Sequence, residues 1–239
     1  MLKGISSVSK PHGAQTAFRC GSFDMRIITL PTERNACLAL RLRAYRPYLP
    51  ANEVPADGLY TDQFDDLATT LIIGAHDAGR LIASMRLCFS RTWDGLETLP
   101  CAAHYPRLRA IKAANDGAMM EVSRVAIDPV ITNTSYRTTL YASLVRLGLI
   151  AAEAGGVSMV LIATQESSEK FYSYMLGLNR IGEPAFYPPG DFKISLLGGD
   201  MRQLRLRQKA QNRFFRVGPE DIVRMRHALA DRALISVVA

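Results

Sequence analysis

Glu121 and Arg124 stand three residues apart in the apolar run Ala118-Met-Met-Glu-Val-Ser-Arg-Val-Ala-Ile127, where an unpaired charge is expensive to bury. A carboxylate in such a place can serve as a proton acceptor with a raised pKa, and a guanidinium can hold an anion or fix a carboxylate. Partners lie upstream: Arg41, the pair Asp62-Gln-Phe-Asp65, and Arg86 in Ala-Ser-Met-Arg-Leu87. A plain buried ion pair accounts for any two of these charges, so the ordered set carries the functional reading. Glu121 is the only acid in its run, which makes it the candidate base, acting through water. Burial would raise its pKa and a neighbouring Arg86 or Arg124 would lower it.

Strict strand alternation sends residues 121 and 124 to opposite faces, because their spacing is odd. Two arrangements stay open. A bulge or strand end between them would bring both to one site. Alternatively, Arg124 works from the other face and organises the acidic loop by pairing with Asp62 or Asp65, which is the preferred expectation.

The elements that position these residues follow from periodicity and breakers. A strand is expected over Met25–Leu30, then a helix opened by Pro31 and stopped by Pro47 and Pro50. The stretch 51–66 is a loop long enough to be functional. Strands near 69–75 and 80–89 flank Asp77-Ala-Gly79 as a hairpin. Residues 94–116 read as irregular or partly helical. The Glu121 strand ends at Pro129, and leucines at helical spacing mark a helix over 135–154, stopped by Gly155-Gly156. A buried strand over 157–163, a helix over 166–176, a strand pair over 181–187 and 192–197, and helices over 201–215 and 219–234 complete the order. The class is α/β (α+β), a mixed central sheet flanked by helices. Residues 1–22 read as a flexible tail, 23–200 as the principal domain, and 201–239 as a helical extension packed on it.

At 239 residues and 48% hydrophobic content, one large domain with a sizeable core is expected. No run reaches the length of a membrane span and no secretory signal is apparent, so the expected location is cytoplasmic. Four cysteines lack C-x-x-C spacing and four histidines form no H-x-x-x-H pair, so neither a disulfide framework nor a metal site is expected. Arg202, Arg205, Arg207, Lys209, Arg213 and Arg216 supply six positive charges with no acid between them, nearly all of the net charge of +7. Five of them, Arg202, Arg205, Lys209, Arg213 and Arg216, recur at steps of 3, 4, 4 and 3, one face of a helix. Such a stripe suits an acidic protein partner, while the scarcity of interleaved aromatics speaks against nucleic acid. A solvated helix face and a peripheral contact with an anionic membrane are the remaining readings.

The set Arg41-Leu-Arg-Ala-Tyr45, Asp62-Gln-Phe-Asp65, Arg86-Leu and Glu121-Val-Ser-Arg124 resembles the ordered signature of the acyl-homoserine-lactone (autoinducer) synthases. Arg-Leu-Arg-Ala-Tyr and Phe171-Tyr-Ser-Tyr-Met-Leu-Gly-Leu are closer to a sister group, the N-acyl amino acid synthases, exemplified by N-acyltyrosine synthase. The resemblance covers residues 25–200 and implies a GCN5-related N-acyltransferase fold. Tyr45 replaces the Phe of the autoinducer synthases, and their nearby Trp has no match, since the only Trp is Trp93. This favours an amino-acid or other amine acceptor over S-adenosylmethionine.

The resemblance implies a bacterial-type enzyme that moves a long fatty acyl chain to the α-amine of an amino acid. Glu121, Arg124 and Arg86 would be catalytic, with Arg41, Tyr45, Asp62, Asp65 and Phe171 binding substrate. The expected donor is the acyl-phosphopantetheine of acyl carrier protein, docked on the basic stripe, with no tightly bound cofactor. Asp128-Pro-Val-Ile-Thr-Asn-Thr-Ser-Tyr-Arg-Thr138 follows the central strand without a glycine, and side chains there would hinder close approach to a diphosphate. The alternatives are an acyl-homoserine-lactone synthase and a non-catalytic module that binds carrier protein.

Overall fold

The computed structural model describes residues 17–91, 95–114, 117–186, 193–211 and 213–232. Among the described residues, nine strands form one sheet: β1 Ala17–Cys20, β2 Phe23–Ile27, β3 Thr70–Asp77, β4 Arg80–Ser90, β5 Ala118–Ile127, β6 Val157–Gln165, β7 Asn179–Arg180, β8 Ala185–Phe186 and β9 Lys193–Asp200. Their spatial order is β1-β2-β3-β4-β5-β6-β9-β7, with β8 also on β9. As far as the described residues run, neighbouring strands pair antiparallel, except that β5 and β6 pair in parallel. Their crossover is the helix α3, Thr134–Ala154.

Local chemistry explains the main elements. Pro31 opens α1 (Pro31–Tyr45), where a missing N–H costs nothing, and Pro47 lies in the 3-10 turn Arg46–Tyr48 that ends it. Ala78 and Gly79 both take positive φ, the geometry of a tight two-residue hairpin between β3 and β4. Gly177, at φ +72, closes α4 (Glu166–Leu176) as a left-handed C-terminal residue.

The sheet has two covered faces. Met120 and Val122 of β5 and Leu87 and Phe89 of β4 pack in the main core with Leu140, Leu144 and Leu147 of α3. Met225 and Leu229 of α6 (Pro219–Ala230) join that core. Burying each such side chain contributes about 1.5–3 kcal/mol. The opposite face carries Arg86, Cys88, Glu121 and Ser123, adjacent through the β4–β5 register. It is covered by α1 and by the segment containing Leu99, Cys101, Tyr105 and Leu108, whose last residue belongs to the short α2, Arg107–Ala113.

The structure departs from the sequence reading in three places. Residues 17–20, read as part of a loose tail, form β1, and Phe18 and Cys20 are buried against the sheet. Alternation of Phe18 and Cys20 with Arg19 is the strand signal, but it spans only four residues beside a polar stretch. The expected strand at 181–187 is replaced by two residues each of β7 and β8. The single helix expected over 201–215 is α5, Met201–Gln211, followed by a 3-10 turn at Arg213–Phe215. The tail expected over 1–16, the Pro188-Pro-Gly190 turn and the helix end at Leu234 lie outside the described residues.

Candidate functional site

β5 is bulged at Arg124. Ser84 pairs with Ala126 and Arg86 with Ser123, so Arg124 and Val125 together oppose the single residue Met85. Arg124 takes φ +52. A left-handed non-glycine residue costs about 1–3 kcal/mol and persists only where its surroundings hold it. Arg124 Nη2 and Nε donate to Asp62 Oδ2 at 2.8 and 3.2 Å, and the guanidinium lies 5.3 Å from the centre of the Tyr60 ring. The bulge turns Arg124 onto the face of Arg86 and Ser123. Both arrangements left open by the spacing are therefore partly realised: the pair shares one face, and Arg124 orders the loop through Asp62.

A guanidinium–carboxylate network joins that loop to three elements. Arg41 Nη1, on α1, donates to both oxygens of Asp65 at 2.8 and 3.0 Å. Arg86 Nη1, on β4, donates to Asp62 Oδ1 at 2.5 Å and Asp65 Oδ1 at 3.1 Å, while its Nε donates to Ser123 Oγ at 3.2 Å. The Arg41, Arg86 and Asp65 side chains are fully buried. Asp65 Oδ2 also accepts from the backbone N–H of Asp62 at 2.9 Å, closing the loop on itself. Burial alone would raise both carboxyls. Bonds and charge from Arg86 and Arg124 overcome this at Asp62, those from Arg41 and Arg86 overcome it at Asp65, and both are held below the usual carboxylate range. With Arg124 the network has three guanidiniums to two carboxylates.

Beside the network, β5 and β6 part. Their ladder ends at Val122 with Ile162, while β5 continues to Ile127 and β6 to Gln165. The gap is a cavity of about 380 Å³. Tyr45, Tyr48 and Tyr60 line it on the α1 side, and Tyr141 of α3 and Tyr172 of α4 on the other, so it passes through the sheet. Ser123, Arg124 and Arg137 add polar groups to the wall, and Val125 O accepts the Tyr45 hydroxyl at 2.9 Å. From Ser123 to Ile127, the β5 edge facing β6 has no strand partner among the described residues. Such an edge offers backbone N–H groups to a bound oxygen.

The predicted site residues divide sharply. Arg41, Asp62, Asp65, Arg86 and Arg124 come together in the network. Tyr45 and Arg124 line the cavity. Phe171 does not line it, but its ring packs at 5.3 and 5.6 Å from those of Tyr172 and Tyr141, which do. Glu121 is fully buried and is not among the lining residues; its Oε2 accepts the Cys101 backbone N–H at 2.8 Å. Burial pushes its carboxyl up, only partly offset by hydrogen bonds from Cys101 and by the charges of Arg86 and Arg124. Glu121, expected to act as a base through water, is thus a side chain anchored behind the cavity wall.

Tyr60 and Tyr141 form walls that no short motif marks, whereas Tyr172 belongs to the Phe171-Tyr-Ser-Tyr motif and Arg137 to the stretch 128–138. Their common signal is proximity to the ends of β5 and β6, which appears only once the strands are seen to part. The N-terminus of α3 is capped by Asn133 Oδ1, which accepts from Tyr136 N at 2.9 Å. Arg202 and Arg205 border a separate hollow with Val157, Ser158 and Asp200, at the end of β6 opposite the cavity. Arg205 is ion-paired with Glu153, and Arg216 lies beyond the end of α5. The side chains of Lys209 and Arg213 lie outside the described residues. The single helical stripe is thus interrupted. No group of His, Cys, Asp and Glu able to hold a metal occurs among the described residues. No described helix is long and apolar enough to cross a membrane.

Solved structures with this architecture include FeeM, an N-acyl amino acid synthase from uncultured soil microbes (TM-score 0.63, 20% identity, 77% of this chain and 93% of that one). The acyl-homoserine-lactone synthase LasI superposes with a TM-score of 0.55 at 14% identity, covering 75% of this chain and 90% of its own. BjaI, a CoA-dependent acyl-homoserine-lactone synthase, gives 0.51 at 16% identity, covering 80% and 90%. No curated relative matches the chain. The family model of the N-acyl amino acid synthase FeeM matches residues 36–200, which spans the network, the bulge and the cavity and is well over half of the chain. The chain therefore belongs to the FeeM family of N-acyl amino acid synthases and is an acyltransferase of GCN5-related fold.

Proposed function

We propose that the chain transfers a long fatty acyl group from the phosphopantetheine thioester of acyl carrier protein to the α-amine of an amino acid. The observation that carries this reading is the cavity at the parting of β5 and β6. It is lined by aromatic and aliphatic side chains, has an unpaired strand edge on one wall, and is flanked by Arg124. In the reaction the amine nitrogen attacks the thioester carbonyl carbon and the C–S bond breaks. The sulfur leaves as thiolate and takes up the proton that the amine loses. Backbone N–H groups between Ser123 and Ile127 would stabilise the developing oxyanion. Arg124, the cavity-facing member of a cation-rich network, would draw the acceptor's carboxylate.

A carrier-protein donor is supported by the stretch after β5. Its side chains are engaged locally: Asp128 bonds Val130 N and Arg80, and Asn133 caps α3. That leaves no glycine cradle for a diphosphate. We assign Glu121 the role of pinning the Cys101 segment against β5, with water relaying the amine's proton to the leaving thiolate.

Mass spectrometry of lipid extracts from a bacterial host expressing the chain tests the reading. A new family of N-acyl amino acids is expected, and absence of any new N-acyl species would overturn it. N-acyl homoserine lactones instead would transfer the assignment to the autoinducer branch.

A further inference from the structure

The direction of β5 and β6 divides the molecule into two ends. The cavity lies at their C-terminal ends, lined by residues 122–127 and 162–165 together with Arg137 and Tyr141 near the start of α3. The basic stretch begins at the other end, where Asp200 pairs with Met159 near the start of β6. Arg205 is held there by Glu153, in the last turn of α3. From Tyr141 to Glu153 the helix rises about 18 Å. A thioester arm rooted at Arg202 and Arg205 would have to run the length of the sheet before entering the cavity.

The cavity end carries its own cations. Arg43 and Arg46 stand at the C-terminal end of α1, directly before the wall residues Tyr48 and Leu49. Arg80, at the start of β4, lies at the same end because Ala83 pairs with Ile127. The Arg43 and Arg80 side chains are 53% and 61% exposed, both reach the nearly buried Asp128, and Arg46 is exposed. Tyr48, 55% exposed, and Val130, 64% exposed, add apolar surface to the same rim. Arg43 and Arg80 share one buried acid, Asp128, and Arg46 stands exposed beside them and the apolar groups. That combination suits an acidic partner that also presents an apolar contact.

We infer that this rim, formed by Arg43, Arg46, Arg80, Tyr48 and Val130, is the docking surface for the acidic carrier protein whose acylated arm enters the cavity. The inference rests on the carrier-protein donor proposed above. Cations at the entrance act twice, steering the acidic partner and placing the root of its arm at the mouth.

The test compares two donors on each variant: the acyl carrier protein thioester and the same acyl group on free pantetheine. For Arg43→Gln/Arg46→Glu/Arg80→Gln, the KM for acyl carrier protein is expected to rise about tenfold or more at low salt. The kcat and KM for acyl-pantetheine should stay at wild-type values, which also reports that the variant folds. Arg46→Glu alone, which leaves both contacts to Asp128 intact, should give a smaller rise in the same direction. Arg202→Glu should change neither donor's constants. An unchanged KM for the carrier in the rim variants, or an equal rise in Arg202→Glu, would overturn the assignment while leaving the donor reading standing. Wild-type enzyme that turns over only acyl-CoA would overturn both. A rim variant that loses binding to phosphatidylglycerol vesicles, with its carrier KM unchanged, would give the surface to lipid and overturn the assignment to a protein.

Discussion

Two sets of arginines in this chain differ in sequence and, in the opposite sense, in physics. Arg41, Arg86 and Arg124 are scattered over 84 positions, yet they converge on two carboxylates in a largely dry site. The arginines from Arg202 to Arg216 are crowded into one segment, but Arg205 makes an exposed ion pair with Glu153. Charge density along a sequence measures little by itself. What matters is how far each charge is removed from water, because a desolvated guanidinium must be paired and thereby fixes the elements that carry its partners. The network fixes a loop, a helix and two strands beside the cavity, whereas the ion pair of Arg205 stays in contact with water.

The largest test of this contrast is Asp65→Ala. It leaves Arg41 and Arg86 without a shared carboxylate, and a loss of about 3–5 kcal/mol is expected in urea unfolding. The pH dependence follows from the lowered Asp62 and Asp65 carboxyls. Groups with depressed folded values stabilise the protein above their unfolded pKa of about 3.9, and that contribution fades as pH falls through the folded values. The stability gap between wild type and Asp65→Asn should therefore be flat from about pH 8 to 5 and shrink below about pH 4. A gap that closes between pH 7 and 5 would contradict the assignment.

Arg124→Ala removes both the hold on Asp62 and the cation at the cavity. Activity should fall on the order of 100-fold, a loss typical of deleting one positioned donor. Glu121 discriminates between a chemical and an architectural role. If it pins the Cys101 segment, Glu121→Gln keeps an acceptor for that N–H and should retain activity within about threefold, whereas a general base would show a loss of roughly 100-fold or more. The smallest effect belongs to the exposed region. Arg205→Ala should cost no more than about 1 kcal/mol in the same urea titration.

Much of the fold was legible because its signals are local. Pro31 and Pro47 bracket α1, Ala78-Gly79 marks the hairpin, and the run from Met119 to Ile127 can hardly be anything but a buried strand. The members of the network were legible too, because the ordered motifs that carry the family resemblance single out Arg41, Asp62, Asp65, Arg86 and Arg124. The spacing of Glu121 and Arg124 even required a bulge if both were to share a face. What could not be read was the direction in which each charge looks. Glu121 turns to Cys101, a neighbour supplied by an irregular segment that periodicity does not describe. Tyr60 and Tyr141 reach one cavity only because β5 and β6 diverge after Val122 and Ile162, a tertiary event without local signature. The basic stripe failed as a helical pattern for the opposite reason: its spacing was regular, but α5 ends at Gln211.

The most direct measurement fills the cavity and leaves the network alone. Ser168, partly buried on α4, lines the cavity and takes no part in the ion pairs of Asp62 and Asp65. In Ser168→Trp, release of free thiol from a long-chain acyl thioester in the presence of amino acids should fall at least about 100-fold, while the circular dichroism spectrum and urea midpoint stay close to wild type. A folded Ser168→Trp enzyme that releases thiol at the wild-type rate would place the reaction elsewhere and contradict the account.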